Sequence, residues 1–270
     1  MFSSKTAIVT GAASGIGRAL TYALAGAECH VHCVDVASDG LNALLRSEAS
    51  RGLLRMQVLD VTDAAASQRM INEAAERHGQ LDYVFNCAGV GAWGDARFVP
   101  ETTWRRVVEV NYWGTVYTSL AAYRLMTEQG FGHIVNVSSL AGLVSAPTAV
   151  PYAAAKHAVV GFSTSLRAEA QSLGVRVSVV CPGPIATGFH DALMTSEPSR
   201  AKPRPPADSV SVDSAAATIL KGVRRNRAVI VFPRRARWLW RFYRWLPFMF
   251  APTNRRTMKN FRAPRRNDGD

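Results

Sequence analysis

Thr6-Ala7-Ile8-Val9-Thr10-Gly11-Ala12-Ala13-Ser14-Gly15-Ile16-Gly17, followed by Arg18-Ala19-Leu20-Thr21-Tyr22-Ala23-Leu24-Ala25, decides the architecture. A short apolar run stops at Gly11, a glycine-rich turn comes next, and a helical pattern begins. Glycines let the backbone come close to a pyrophosphate, and a helix N-terminus offers it unpaired N–H groups. Three residues separate the first two glycines, two more than in the standard dinucleotide fingerprint. By itself such a turn is also plain strand-to-helix architecture, so its meaning depends on the rest of the chain.

Beyond Ala25, strands alternate with helices. The strand Cys29–Val34 ends in Asp35, about 20 residues beyond the glycine loop, where a carboxylate can accept hydrogen bonds from ribose hydroxyls. It would repel a 2′-phosphate, and neither Ser14 nor Val36 supplies a cation to hold one, so NAD is preferred to NADP. Arg18 belongs to the first helix. A third strand, Leu54–Leu59, leads to Asp60-Val61-Thr62-Asp63, where Asp60 can reach the adenine amino group and Asp63 can cap the next helix, or both acids simply end elements. Leu81–Phe85 runs into Asn86-Cys87-Ala88-Gly89, then a loop with Trp93 and a helix from about Thr103 containing Asn111. His133–Val137 delivers Ser138-Ser139, Val175–Val180 leads to Cys181-Pro182-Gly183-Pro184-Ile185-Ala186-Thr187, and Ala228–Phe232 closes the series. The pattern predicts an α/β fold, a Rossmann-like doubly wound parallel sheet of about seven strands with helices on both faces. It forms one domain over residues 1–232, with a C-terminal extension over 233–270.

Tyr152 and Lys156 stand one helical turn apart on one face. Free Tyr ionises near pH ~10, and a nearby cation favours the phenolate, moving it toward the range useful for proton transfer. Alone, such a pair is often a solvated helix face. Ser139 lies thirteen residues upstream of Tyr152, at a strand's carboxyl end, where open parallel sheets bind ligands.

The glycine loop, the Asn86–Gly89 turn, Asn111, Ser139, the Tyr152/Lys156 pair and Pro182-Gly183 with Thr187 occur in one order and spacing. In this the chain resembles the short-chain dehydrogenase/reductases over residues 5–232. It departs at Cys87, where the family commonly has a second Asn. The resemblance implies that Tyr152 is the general base in alcohol oxidation and the general acid in the reverse reaction. It implies that Lys156 lowers the Tyr152 pKa and bonds the nicotinamide ribose, and that Ser139 donates to the substrate oxygen. Asn111 would hold a water linking Lys156 to solvent. Gly11, Ser14, Gly15, Ile16, Gly17, Asp35, Asp60, Val61, Asn86, Ala88, Gly89, Pro182, Gly183, Ile185 and Thr187 would contact the cofactor, as would Tyr152 and Lys156. No metal is required. The implied assembly is a homodimer or homotetramer, and 188–210 is the substrate lid.

Trp93, Val144, Pro147, Val150, Phe189 and Leu193 are expected to wall the substrate pocket, with His190 as the one polar candidate. So apolar a set favours a hydrophobic or ring-containing secondary alcohol or ketone: a steroid, retinoid, aromatic or lipid-like molecule. The alternatives are a binding protein that keeps the fold without the chemistry, and an NADPH-dependent ketoreductase. His157 adjoins Lys156 but points about 100° away around the helix.

The net charge of +12 is unevenly placed. From Arg224 to Asp270 there are 14 Lys and Arg against 2 acids, so residues 1–223 balance at 18 of each. In Arg234–Leu246, Arg234, Arg237, Arg241 and Arg244 fall on one side of a helix. Trp238, Leu239, Phe242, Trp245 and Leu246 fall on the other. Residues 234–250 admit two readings: packing on the domain or a partner subunit, or an interfacial helix at a membrane surface, too short and charged to span it. No nucleic-acid recognition fold is present. Cys29-His30-Val31-His32-Cys33 alternates along a strand, so its four side chains cannot converge on one metal. Scattered cysteines and an N-terminus without a signal-peptide pattern suit a reducing cytoplasm, with or without membrane-surface association.

Overall fold

The computed structural model describes residues 1–45, 52–195, 203 and 206–263. Seven strands form one parallel sheet: β1 (Thr6–Thr10), β2 (His30–Asp35), β3 (Leu54–Val58), β4 (Tyr83–Asn86), β6 (Gly132–Val137), β7 (Val175–Pro182) and β9 (Val229–Phe232). Their spatial order is β3-β2-β1-β4-β6-β7-β9. The order reverses between β1 and β4, which opens a crevice beyond their carboxyl ends, the place where such sheets bind ligands. All five residues of β1 and all four of β4 are buried, as strands covered on both faces must be.

Helices cover the two faces. On one, α1 (Gly15–Ala25) and α7 (Val212–Arg224) bury Leu20, Leu24, Ile219 and Val223. On the other, α3 (Ala64–His78), α5 (Gly114–Gln129) and α6 (Val150–Ala170) bury Met70, Ile71, Met126 and Leu166. The short α2 (Ser38–Leu45) connects β2 to β3. Asp63 caps α3 as expected, its Oδ1 accepting from the Ala66 N–H at 2.9 Å.

Three features differ from the sequence pattern. The helix expected near Thr103 begins earlier, as α4 (Glu101–Val108), and passes through a π turn (Glu109–Trp113) before α5. That π turn carries Asn111, and such bulges recur at functional sites. A second, two-stranded sheet pairs β5 (Ala92–Trp93) with β8 (Met194–Thr195); strands of two residues carry no readable periodicity. The extension is also more ordered than one amphipathic helix. After α8 (Arg234–Trp245), a 3-10 turn at Pro247–Phe250 leads into α9 (Ala251–Arg262), where Pro252 suits the first turn.

The faces of α8 divide differently from the simple two-sided reading. Ala236 is buried and Trp240 partly buried against Val159, Val179, Cys181 and Val231. Arg237 turns inward, its Nε and Nη2 donating to the Val231 carbonyl at 3.3 and 3.1 Å. Trp238, Phe242 and Trp245 are 63%, 44% and 79% exposed, so they are not what fastens α8 to the domain. Among the described residues no helix is long and apolar enough to cross a membrane.

Candidate active site

A cleft of about 840 Å³ opens over the crevice between β1 and β4. Its floor is built by close approaches of backbone. Thr10 Oγ1 accepts from the N–H groups of Cys87 and Ala88 at 3.1 and 3.2 Å, stitching the end of β1 to the turn after β4. A Cβ at Gly11 (φ +66°) would lie 2.8 Å from the Ala88 nitrogen, and one at Gly17 would lie 2.1 Å from the Gly11 oxygen. The turn therefore admits no side chain at either position. Ser14 makes no side-chain cap, so the first N–H groups of α1 meet the cleft unmasked.

Asp35 also lines the cleft, and its carboxylate is fixed rather than free to swing. Oδ2 accepts from the Ala13 N–H and Oδ1 from the Ala37 N–H, each at 3.0 Å. Asp60 and Val61 form the same wall, with Arg106, which the sequence pattern did not single out, beside them. Burial pushes the Asp60 carboxyl up, but its Thr62 bonds and Arg106, 3.3 Å away, leave it below the usual range. Asn86 corrects an expectation. It is buried, its Nδ2 donating to Ser119 Oγ and Asn136 Oδ1, so it braces the sheet while Ala88 and Gly89 face the cleft. Ile16, Gly15, Pro182, Gly183, Ile185 and Thr187 all reach it.

The proton-handling groups sit midway along the cleft. Ser138 is buried and donates to the Lys156 carbonyl at 2.8 Å; Ser139, one residue on, faces the same cleft as Tyr152, its Oγ accepting from the Ala141 N–H at 3.2 Å. Lys156 is buried, with Nζ donating to the Val137 carbonyl at 2.9 Å and lying 5.7 Å from the Tyr152 ring centroid. The side chain of Asn111 clamps Val90, accepting from its N–H at 2.9 Å and donating to its carbonyl at 2.8 Å. It does not line the cleft. A Cβ at Gly89 would lie 2.7 Å from Asn111 Oδ1 and 3.4 Å from Lys156 Nζ, so both groups flank the same small space.

The electrostatics differ from the simple expectation that Lys156 pulls the phenol down. Burial pushes Tyr152 up to about 12, with the nearby Ser139 hydroxyl opposing it, and burial pushes Lys156 down to about 8. In a dry site both charged forms are disfavoured. Cys87 and Cys181, also close to Lys156, are held by burial near 12, which keeps them thiols rather than nucleophiles.

The outer part of the cleft is apolar. Phe189 lies over Tyr152 with ring centroids 5.4 Å apart, and Phe189 and Leu193 close so tightly on Gly91 that a Cβ there would clash with both. Trp93 and Val144 complete the wall, but Pro147 and Val150 do not line it. α6 starts at Val150, two residues before Tyr152, and turns that side chain outward to 39% exposure; Ala146, Thr148 and Ala149 line the cleft instead. His190 reaches the cleft, and its Nδ1 is buried without a partner among the described residues. His157 is occupied with the Ala153 carbonyl of its own helix. Of the expected lid, 188–210, residues 196–202 and 204–205 lie outside the described residues, as do 264–270 of the extension.

A family model described as short chain dehydrogenase matches residues 5–198. The 1-deoxy-11-beta-hydroxypentalenate dehydrogenase of Streptomyces avermitilis is 36% identical over 229 residues, covering 83% of each chain. The 2-keto-3-deoxy-L-fuconate dehydrogenase of Xanthomonas campestris is 38% identical over 184 residues, 68% of this chain and 59% of that one. A crystal structure of a short-chain dehydrogenase/reductase from Burkholderia phymatum in complex with NAD superposes with a TM-score of 0.82 at 26% identity, covering 92% of this chain and 95% of that one. With the sheet order, the glycine turn and the Ser139–Tyr152–Lys156 cluster in place, this chain belongs to the short-chain dehydrogenase/reductase family and is a nicotinamide-dependent oxidoreductase acting on CH–OH groups.

Proposed function

We propose that this enzyme oxidises hydrophobic or ring-containing secondary alcohols with NAD, and reduces the matching ketones. The observation that carries the substrate class is the wall of Trp93, Val144, Phe189 and Leu193 around the Tyr152 hydroxyl, with His190 the one lining residue, among the described residues, that has a buried side-chain polar atom without a partner. Such a wall gains by covering apolar surface and leaves a polyol's hydroxyls unpaired. The cleft fits the cofactor on its own geometry: a side-chain-free turn at a helix N-terminus, a fixed carboxylate at Asp35 and an apolar-walled pocket beside Tyr152. When bound, nicotinamide supplies the hydride acceptor or donor. The chain's residues handle the proton and the charge. Tyr152 takes the alcohol proton, Ser139 donates to the substrate oxygen, and Lys156 holds its ammonium beneath the phenol. Asn111 acts by fixing the loop at Val90 beside Lys156.

Asp35 supports NAD over NADP, since a carboxylate with both oxygens already held by N–H groups cannot turn away from a 2′-phosphate. In the wild type NAD should bind at least about tenfold tighter than NADP, and Asp35→Ala should narrow that gap. Titration of both dinucleotides checks this, and equal or reversed affinities in the wild type would defeat it.

The exposed side of α8 is proposed to rest on an anionic lipid surface. Trp238, Phe242 and Trp245 stand exposed among Arg234, Arg241 and Arg244, and Phe248 and Met249 extend the apolar patch. Two copies meeting through so basic a face would repel each other, whereas phosphate headgroups complement it. The protein should co-sediment with phosphatidylserine vesicles, less so at high salt, and Trp238→Ala with Trp245→Ala should abolish binding. Vesicle binding unaffected by those changes, or a dimer that the double variant dissociates, would remove the lipid reading. Assembly into a dimer or tetramer is proposed for other faces, with light scattering as the check; Trp113, 42% exposed and stacked on Tyr117, marks one of them.

A further inference from the structure

The C-terminal helix α9 returns to the outer lips of the cleft. Its contacts are specific and come from both ends. Near its start, Asn254 Nδ2 donates to Ser145 Oγ at 2.8 Å, on the loop whose neighbours Val144 and Ala146 line the pocket. At its end, the Phe261 ring meets Trp93 edge-on, centroids 5.2 Å apart at 87°, and Arg262 Nε donates to Asp95 Oδ2 at 2.7 Å. Trp93 is itself a pocket wall, and Gly94, between these two partners, donates to the Thr148 carbonyl at 2.8 Å.

Asp95 is the anchor. Its side chain is 4% exposed, and it receives Arg97 through Nε, Nη2 and the backbone N–H as well as Arg262. Both guanidiniums hold its carboxyl well below the usual carboxylate range, so the link stays charged at every pH the enzyme would meet. A buried carboxylate joining two arginines from segments 165 or more residues apart in sequence does nothing for the sheet, which α9 does not cover. It fixes α9 across the β5 lip and, through Asn254, the 144–148 lip.

We propose that α9, pinned by Arg262 to Asp95, braces the outer wall of the substrate pocket from behind, and that it thereby limits the enzyme to compact hydrophobic alcohols. Arg262 is a positioning residue: it touches neither Tyr152 nor Ser139, and acts through Asp95, Trp93 and the Gly94–Thr148 bond. Phe261 backs Trp93, so loss of either contact lets the indole retreat and widens the pocket. This rests on the secondary-alcohol reading, and the experiment separates the two.

The test uses the full chain with Arg262→Ala, Phe261→Ala and Arg262→Lys, assayed with NAD on 1-tetralol as a compact alcohol and on a 17β-hydroxysteroid as a long one. In Arg262→Ala the KM for 1-tetralol should rise about tenfold with kcat nearly unchanged, while the ratio of kcat/KM values shifts toward the steroid. Phe261→Ala should behave likewise, and Arg262→Lys should recover most of the wild-type ratio. Hydrogen exchange supplies a readout that needs no substrate: the Gly94 amide should exchange about tenfold faster in Arg262→Ala and not in Arg262→Lys. Unchanged exchange at Gly94, or an unchanged size preference in both alanine variants, overturns the proposal. If the wild type oxidised neither alcohol, the secondary-alcohol reading would fail, while the exchange at Gly94 would still decide whether Arg262 pins this wall.

Discussion

Tyr152→Phe should lower NAD-linked alcohol oxidation by about a thousandfold or more, the range expected for losing a general base that also orients the substrate. It should leave NAD binding within about twofold, because the cofactor turn, Asp35 and Thr187 are untouched. The substitution removes one oxygen and keeps the ring that packs against Phe189, so it creates no cavity. The pH behaviour is set by burial. In the cofactor-free enzyme Tyr152 sits at about 12, so the phenol stays protonated through neutral pH, while Lys156 gives up its proton around 8. Oxidation, which needs the base, should therefore accelerate as pH rises, and ketone reduction, which needs the acid, should be favoured as it falls. Rate profiles in both directions check the sign. A Tyr152→Phe enzyme that retained turnover would place the proton transfer elsewhere.

Gly17→Ala should abolish dinucleotide binding, raising the dissociation constant about a hundredfold or beyond measurement. The added methyl would sit 2.1 Å from the Gly11 carbonyl oxygen, far inside contact distance, and that oxygen belongs to the backbone, not to a side chain that can swing aside. Either the glycine turn shifts outward into the space the pyrophosphate needs, or α1 moves away from β1. Overpacking of this kind costs about 1–3 kcal/mol, so the variant should fold with a lowered melting temperature. Gly161→Ala, inside α6 where a Cβ meets nothing within 4 Å, is the matched control: it should leave binding unchanged and raise the melting temperature slightly, since Ala favours a helix interior over Gly. Calorimetric titration with NAD and thermal unfolding read the two effects separately.

The sheet was legible because its central strands are buried on both faces and stand out as apolar runs, as Thr6–Thr10 does before Gly11. The cluster was legible because Tyr152 and Lys156 share one helical turn, where spacing brings side chains together, and because Ser139 stands at a strand end in the place the family resemblance gives it. What spacing does not carry is orientation within loops. Asn86 and Val150 occupy the expected positions in the chain yet turn away from the cleft, one into the polar network with Asn136, the other outward. The sign of the Tyr152 shift was equally hidden, since it depends on how dry the pocket is rather than on which residue stands four places on. Long-range contacts were the least visible. Asp95 and Arg262 are 167 residues apart, and nothing in Ala251–Arg262 marks it as more than a basic stretch until it meets Trp93 and Ser145.

The most direct measurement of the central claim is NADH formation by the wild-type enzyme on matched secondary alcohols: cyclohexanol, 1-tetralol and the polyol threitol. The apolar wall of Trp93, Val144, Phe189 and Leu193 around Tyr152 predicts clear turnover of the ring alcohols, with kcat/KM for 1-tetralol exceeding that for threitol by about a hundredfold or more. A preference for threitol, or no NADH from any ring alcohol by an enzyme that binds NAD, would contradict it.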